Sequence, residues 1–304
     1  MTEIAASIKT KLIQDIIEQD KELLTRIPIS RHLAYLSDYP EVGPYSYTSV
    51  DIQKDFEALS KYQNTTSKYQ KLILLELIEK NSQKIKQLGL PDTIASLFEI
   101  NFKRIIDDIQ FEKQSEDFYH FKNDKFLKDI SLCNLRLTPA GAQKLNLTKF
   151  PILSFRSAGL VEFAKIAAFS TFNRLTGGCM YDMHTDSHDA DLLNDFTPAG
   201  WRQFYINVAD LLMARPDIKG LFGVGWFFDP KVSEISPRLS YLRDLVIESG
   251  GSTFNAGENE GATSSALAKS ETRKRAYQQG TYKPLDYLVI WDRSTLIDWR
   301  QKQK

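Results

Sequence analysis

Two short apolar runs joined by one strongly amphipathic helix set the narrowest limit on how this chain can fold. Cys179–Thr185 and Gly220–Phe228 read as strands. Between them, Pro198–Arg215 reads as a helix that buries Trp201, Phe204, Tyr205, Val208, Leu211 and Leu212, with Pro216 ending it. Strands connected in this way belong to a parallel or mixed α/β sheet, and ligands bind at the strand ends of such sheets. Both runs end in polar and aromatic residues: Asp182, His184, Asp186, His188 and Asp189 after the first, Trp226, Phe227, Phe228 and Asp229 at the second. The stretch from Gly177 to Arg243 is therefore the predicted functional face.

The pattern continues downstream. Ser236 is a good N-cap with Pro237 at the first helical position, which predicts a helix to Glu248. Ser252–Ala256 reads as a strand, Gly257–Ser265 as a flexible loop and Ala266–Gln279 as a basic helix. Tyr287–Trp291 is the last predicted strand, and Leu296–Trp299 closes the chain. Upstream, Ile130–Leu137 and Phe150–Phe155 are strand candidates. The apolar residues of Gly159–Phe172 fit a strand or a helix equally well.

Residues 1 to about 110 read differently. Ile8, Leu12 and Ile16 make an apolar stripe at helical spacing, and Lys68–Leu88 is a clear helix stopped by Gly89. Another helix starts at Pro91 and Asp92. Ser37–Tyr47, with Tyr39, Tyr45 and Tyr47, is a packed loop or a lid. The composition shift near residue 115 divides a helical subdomain, 1–115, from an α/β domain, 116–304. The predicted fold is α+β: a helical N-terminal part followed by a mixed sheet with flanking helices.

Composition removes several classes of function. The 304 residues carry 39 basic and 39 acidic side chains, so net charge gives no argument for nucleic acid or a membrane surface. No apolar run approaches the roughly 20 residues that span a bilayer. The N-terminus is amphipathic and has no apolar core of signal-peptide type. The two cysteines, Cys133 and Cys179, have no zinc spacing and make no disulfide framework. The expected setting is a reducing cytoplasm, and the expected partner a small molecule.

Several constellations could carry chemistry. His184, Asp186 and His188 alternate along the chain, and on a strand they would share one face as ligands for zinc, iron or manganese. The facial triad of iron(II) oxygenases wants a further histidine downstream, and none follows His188, which leaves His32 and His120 upstream. Without a metal, His184 or Asp186 serves as a general base. Trp226 and Asp229 end a buried strand and are either core or pocket lining. Arg238 and Tyr241, three apart, share a helical face, and with Arg243 they bind an anion or anchor the helix to Asp229 or Asp244. Ser270, Thr272, Arg273, Arg275 and Tyr277 follow a glycine-containing loop, a phosphate-cradling setting that here lacks any Walker or dinucleotide spacing. Cys179, five residues before His184, is a candidate thiol nucleophile. No Gly-x-Ser-x-Gly elbow occurs.

The order strand, helix, strand, helix, strand, helix, strand from Cys179 to Trp291 resembles the second half of the GNAT-type N-acetyltransferase fold. The resemblance is topological and covers the chain after Ile130. It implies that Cys179–Thr185 leads through a loop into a helix receiving the pyrophosphate of an acyl-CoA. It further implies that Gly220–Phe228 and Ser236–Glu248 splay to form the acyl slot, with Tyr241 on the following helix as a possible acid. The family's glycine-containing loop falls at Asp182–Gly200, which is acidic and long here. The leading expectation is an acyltransferase-like enzyme acting on a small polar substrate, with Arg238 or Arg273 holding an anionic group. The alternatives are a metal-dependent oxygenase or hydrolase, and a non-catalytic binding protein on the same scaffold.

Overall fold

The computed structural model describes residues 2–59, 63–185 and 195–303. The chain is α+β and divides into two compact units, Met1–Pro139 and Ala140–Lys304.

The first unit is helical: α1 (Thr2–Gln19), α2 (Leu23–Arg26), α3 (Ile29–Ser37), α4 (Val50–Leu59), α5 (Gln63–Ile85), α6 (Asp92–Gln110) and α7 (Asp124–Cys133), then a short strand β1 (Leu137–Pro139). α5 is its axis. Leu72, Ile73, Leu74, Leu75, Leu77 and Ile78 cover its whole circumference and are all buried, as a helix surrounded by others requires. α1, α3, α4, α6 and α7 pack on it. Ionisable groups fill the seams. Arg104 bonds Asp108 at 3.0 Å and also Asp129, and Lys71 reaches Glu116 at 3.1 Å while lying over the Tyr119 ring. His32 is buried against Tyr69, with ring centroids 5.5 Å apart.

The second unit carries five strands of the chain's six-stranded mixed sheet: β2 (Lys144–Lys149), β3 (Cys179–His184), β4 (Gly220–Gly225), β5 (Ser252–Gly257) and β6 (Asp286–Asp292). Their spatial order is β2-β3-β4-β6-β5. β3 and β4 run parallel, and the other neighbours are antiparallel. The helices are α8 (Leu160–Phe172), α9 (Pro198–Ala214), α10 (Pro230–Ile235), α11 (Tyr241–Glu248), α12 (Glu260–Ala268), α13 (Glu271–Gln278) and α14 (Arg293–Gln301). α9 buries Trp201, Phe204 and Tyr205 against one sheet face, with Tyr205 on Trp291 at 5.0 Å. On the other face Phe150, Phe155 and Ile166 close over Met180, Phe222, Leu288 and Ile290.

Several expectations change. Ile130–Leu137 is not a strand but the end of α7 followed by β1. Asn123 caps α7 by accepting from the Lys125 and Phe126 amides, and Phe126, Ile130 and Cys133 form its buried stripe. Because α7 packs on α5 and α6, the first unit extends well past the composition shift near residue 115. The strand expected at Phe150–Phe155 lies earlier, at β2. Pro151 lacks a donor to continue the ladder, and Ile152–Ala158 coils into a 3₁₀ turn. Gly159–Phe172 resolves as helix α8. β4 stops at Gly225, and Trp226–Phe228 turns out of the sheet. The helix expected from Ser236 is split in two, because Asp229 caps α10 through the Lys231 amide at 2.9 Å and α11 begins only at Tyr241. Gly257–Ser265 is mostly helical, in α12, and the basic helix is the separate α13. Asn259 and Ser270 cap these two helices.

Candidate functional site

β3 and β4 end side by side, as parallel neighbours must, and most of the candidate residues leave the sheet there. β3 pairs β4 through Tyr181–Leu221 and Asp182–Phe222, where the ladder ends. Each strand continues beyond that point. β3 stays paired to β2 as far as His184, and β4 stays paired to β6 as far as Gly225. Past the ladder, Val224 is 42% exposed although it lies in the centre of the sheet, where a parallel strand is ordinarily covered on both faces. Gly223 lets the other face stay close: a Cβ there would meet Met183 Cε at 2.4 Å. The opening is thus on Val224's face.

Alternation decides what else shares that face. Residues directly opposite in an antiparallel ladder point the same way. Lys144 faces His184 and Asn146 faces Asp182 across β2 and β3. In the parallel register Asp182 lies beside Phe222, so Lys144, Asn146, Asp182, His184 and Val224 occupy one face of the sheet. His184 Nε2 lies 3.4 Å from Asp182 Oδ2, and both side chains are part-buried. Lys144 and Asn146 are buried. The next residue, Thr185, donates from its hydroxyl to Gln143 Oε1 at 2.8 Å and ties the end of β3 to β2. Sequence reading missed Lys144 and Asn146. The signal was there in Lys-Leu-Asn-Leu-Thr-Lys, a strict alternation that a search for apolar runs passes over.

A second group gathers where the chain leaves β4. Arg273, buried in α13, donates to the Ala266 carbonyl at 2.6 Å and to Ser236 Oγ at 3.0 Å, and its guanidinium lies 4.6 Å from the centre of the Trp226 indole. Burial lowers its pKa, while the nearby Tyr282 phenol acts against that. Asp229 is buried beside Lys231, and burial raises its carboxyl above the usual range, partly offset by the Lys231 and Leu285 amides and by Arg243. Tyr241 starts α11 and donates to the Phe196 carbonyl at 2.9 Å, with burial pushing its phenol up to about 12. Arg238 sits exposed in the turn Pro237–Leu239, just before α11. Ser270, from the phosphate-cradle candidate, has its hydroxyl engaged as the cap of α13 by the Arg273 amide.

The structure separates other groupings. Cys179 and His184 stand at opposite ends of β3, about 17 Å apart at strand rise, so they cannot act as a nucleophile and base pair. Asp186 and His188 lie outside the described residues, and β3 itself ends at His184. Among the described residues no group of three or more His, Cys, Asp or Glu side chains is placed to hold a metal ion. No helix among them is long and apolar enough to cross a membrane.

Comparison with protein-family models, with curated proteins and with solved structures gives no match for this chain.

Proposed function

We propose that this chain is a cytoplasmic acyltransferase-like enzyme that transfers an acyl group to a small polar acceptor at the opening between β3 and β4. The observation that carries the reading is the end of the β3–β4 ladder at Asp182 and Phe222, with Val224 exposed and His184 on the same face. The element order on which the resemblance rests also holds in the sheet, where β3, α9 and β4 form one parallel crossover and β5 and β6 follow. The two cysteines, neither of them in a disulfide, agree with a reducing compartment.

The strand edges past the ladder fit an extended chain bearing amides, such as the pantetheine arm of an acyl-CoA, which supplies a thioester when bound. Met183 and His184 on one side and Gly223, Val224 and Gly225 on the other would hold it. Asp182–Gly200 contains no lysine or arginine, so the phosphate end takes its contacts outside that stretch. His184 accepts the proton of an amine or hydroxyl acceptor, and Asp182 orients the imidazole from 3.4 Å. Tyr241 holds Phe196 and thereby the entry to α9.

The test is thermal melting of metal-stripped protein with acetyl-CoA, and separately with zinc, iron(II) and manganese. A ligand at 100 times its Kd stabilises a folded state by about 2.7 kcal/mol. Acetyl-CoA is expected to raise Tm. Val224→Phe, which fills the opening, is expected to abolish that rise with little change in the unliganded Tm. A rise with a metal alone would transfer the assignment to His184, Asp186 and His188, and no response to any of them would leave the non-catalytic binding protein.

A further inference from the structure

Helix α8 carries apolar side chains on both its sheet side and its outer side, and the outer side faces solvent. Its only charged residues, Glu162 and Lys165, pair with each other at 2.6 Å. Ile166 and Ser170 are buried on the sheet side. On the other side Leu160 is 88% exposed, Val161 69% and Phe172 87%, and Leu153, in the turn Ile152–Ala158 that precedes α8, is 61% exposed. Large apolar side chains clustered on the solvent side of a helix mark a surface that something covers. The three α8 side chains present on the order of 400 Å² of apolar surface, about half of the about 800 Å² that one partner gives to a standard interface.

The order of residues along the exposed side says what covers it. Leu160, Ala164, Ala168 and Phe172 are all exposed and follow one another at intervals of four, a single ridge on the helix surface. The ridge reads large, small, small, large in either direction. Turned end for end on a copy of itself, it sets Ala164 against Ala168, where the backbones can approach closely, and Leu160 against Phe172 at both ends. A surface complementary to its own two-fold image is what an isologous dimer needs. The charge pattern also points to a copy. Helices that lie on membrane surfaces carry a lysine- and arginine-rich polar face, whereas α8 is neutral.

We propose that this protein forms a two-fold symmetric dimer through α8, with the Leu160–Ala164–Ala168–Phe172 ridges of the two copies packed antiparallel.

Sedimentation velocity of the full chain over a wide concentration range tests it. The expected species has twice the mass of the chain. Leu160→Glu with Phe172→Glu sets like charges against each other at both ends of the proposed contact and is expected to weaken association at least about 100-fold, with Tm measured on dilute monomer little changed because both side chains lie in solvent there. Orientation is read by oxidative cross-linking in a Cys179→Ser background. Ala164→Cys mixed with Ala168→Cys is expected to give a covalent dimer in much higher yield than either variant alone. A monomer at every concentration would overturn the proposal, as would a dimer that survives the double substitution or cross-links best between identical positions. So would a monomer that sediments with anionic phosphatidylserine vesicles, which would assign the ridge to a lipid surface.

Discussion

The helical unit and the sheet unit both bury ionisable side chains, but at places with different consequences. In the first unit they sit in helix seams and are absorbed by packing: Arg104 between Asp108 and Asp129, Lys71 between Glu116 and the Tyr119 ring, His32 against Tyr69. In the second they gather where β3 and β4 end, with Asp182 and His184 part-buried at the opening and Asp229 buried just after the turn Trp226–Phe228. Groups of the first kind support the fold, and their removal costs stability. Groups of the second kind interrupt an apolar sheet at its open end, and that placement is what makes them candidates for a site.

The sharpest break in that contrast is Arg104→Met. It leaves the buried Asp129 carboxylate without the guanidinium that faces it, and about 3–5 kcal/mol of stability should be lost. Far-ultraviolet circular dichroism in denaturant checks this in the helical unit. All four tryptophans, Trp201, Trp226, Trp291 and Trp299, belong to the other unit, so their emission reports separately on the sheet. A loss much below 1 kcal/mol would show that the seam charges are not supporting groups.

Next comes the pH dependence of the first unit. Burial lowers the His32 pKa from 6.5 to about 4. A base with a depressed folded pKa contributes stability that is present above 6.5 and lost as pH falls through about 4. That corresponds to a loss on the order of 3 kcal/mol at the acid end. His32→Phe keeps a ring beside Tyr69 and Phe121 and should flatten the acid limb of a stability-against-pH curve. An unchanged limb would mean that His32 does not titrate on unfolding.

The smallest effect, and the one opposite in sign, is expected at Asp229. Its folded pKa is raised above 3.8 by burial, so its contribution to stability is present below that value and is lost as pH rises through the folded pKa. Asn is as good an N-cap as Asp. The stability of Asp229→Asn relative to the wild type should therefore grow as pH rises from about 4 toward 7. A difference that shrinks over that range would place Asp229 with the seam charges of the first unit.

Much of this arrangement was legible in the sequence, for reasons that can be named. α9 was readable from end to end because its stripe is long and Thr197, Pro198 and Pro216 frame it. β3, β4 and β6 were readable as apolar runs between turns. α7 was misread because the apolar run Ile130–Leu137 joins its last turn to the start of β1, and a short run of that kind fits either period. The split of the Ser236 helix was missed because the effective cap is Asp229, seven residues before its predicted start, and its role depends on β4 ending at Gly225. The polar pairs Lys144–His184 and Asn146–Asp182 depend on a register between strands far apart in sequence, which no local pattern encodes. Asp186 and His188 fall outside the described residues, so the alternation that singled them out has no structural counterpart here.

The sheet order also fixes a timetable. β4 is the centre of the second unit, yet its partner on one edge is β6, at Asp286–Asp292, which follows both β4 and β5 along the chain. β5 has β6 as its partner too. While the chain is being synthesised, two strands therefore wait with open edges until β6 emerges, and Gly-Leu-Phe-Gly-Val-Gly spends that interval as an exposed apolar template. The opening at the end of β4 therefore takes its final form only after Asp286–Asp292 has been made and paired.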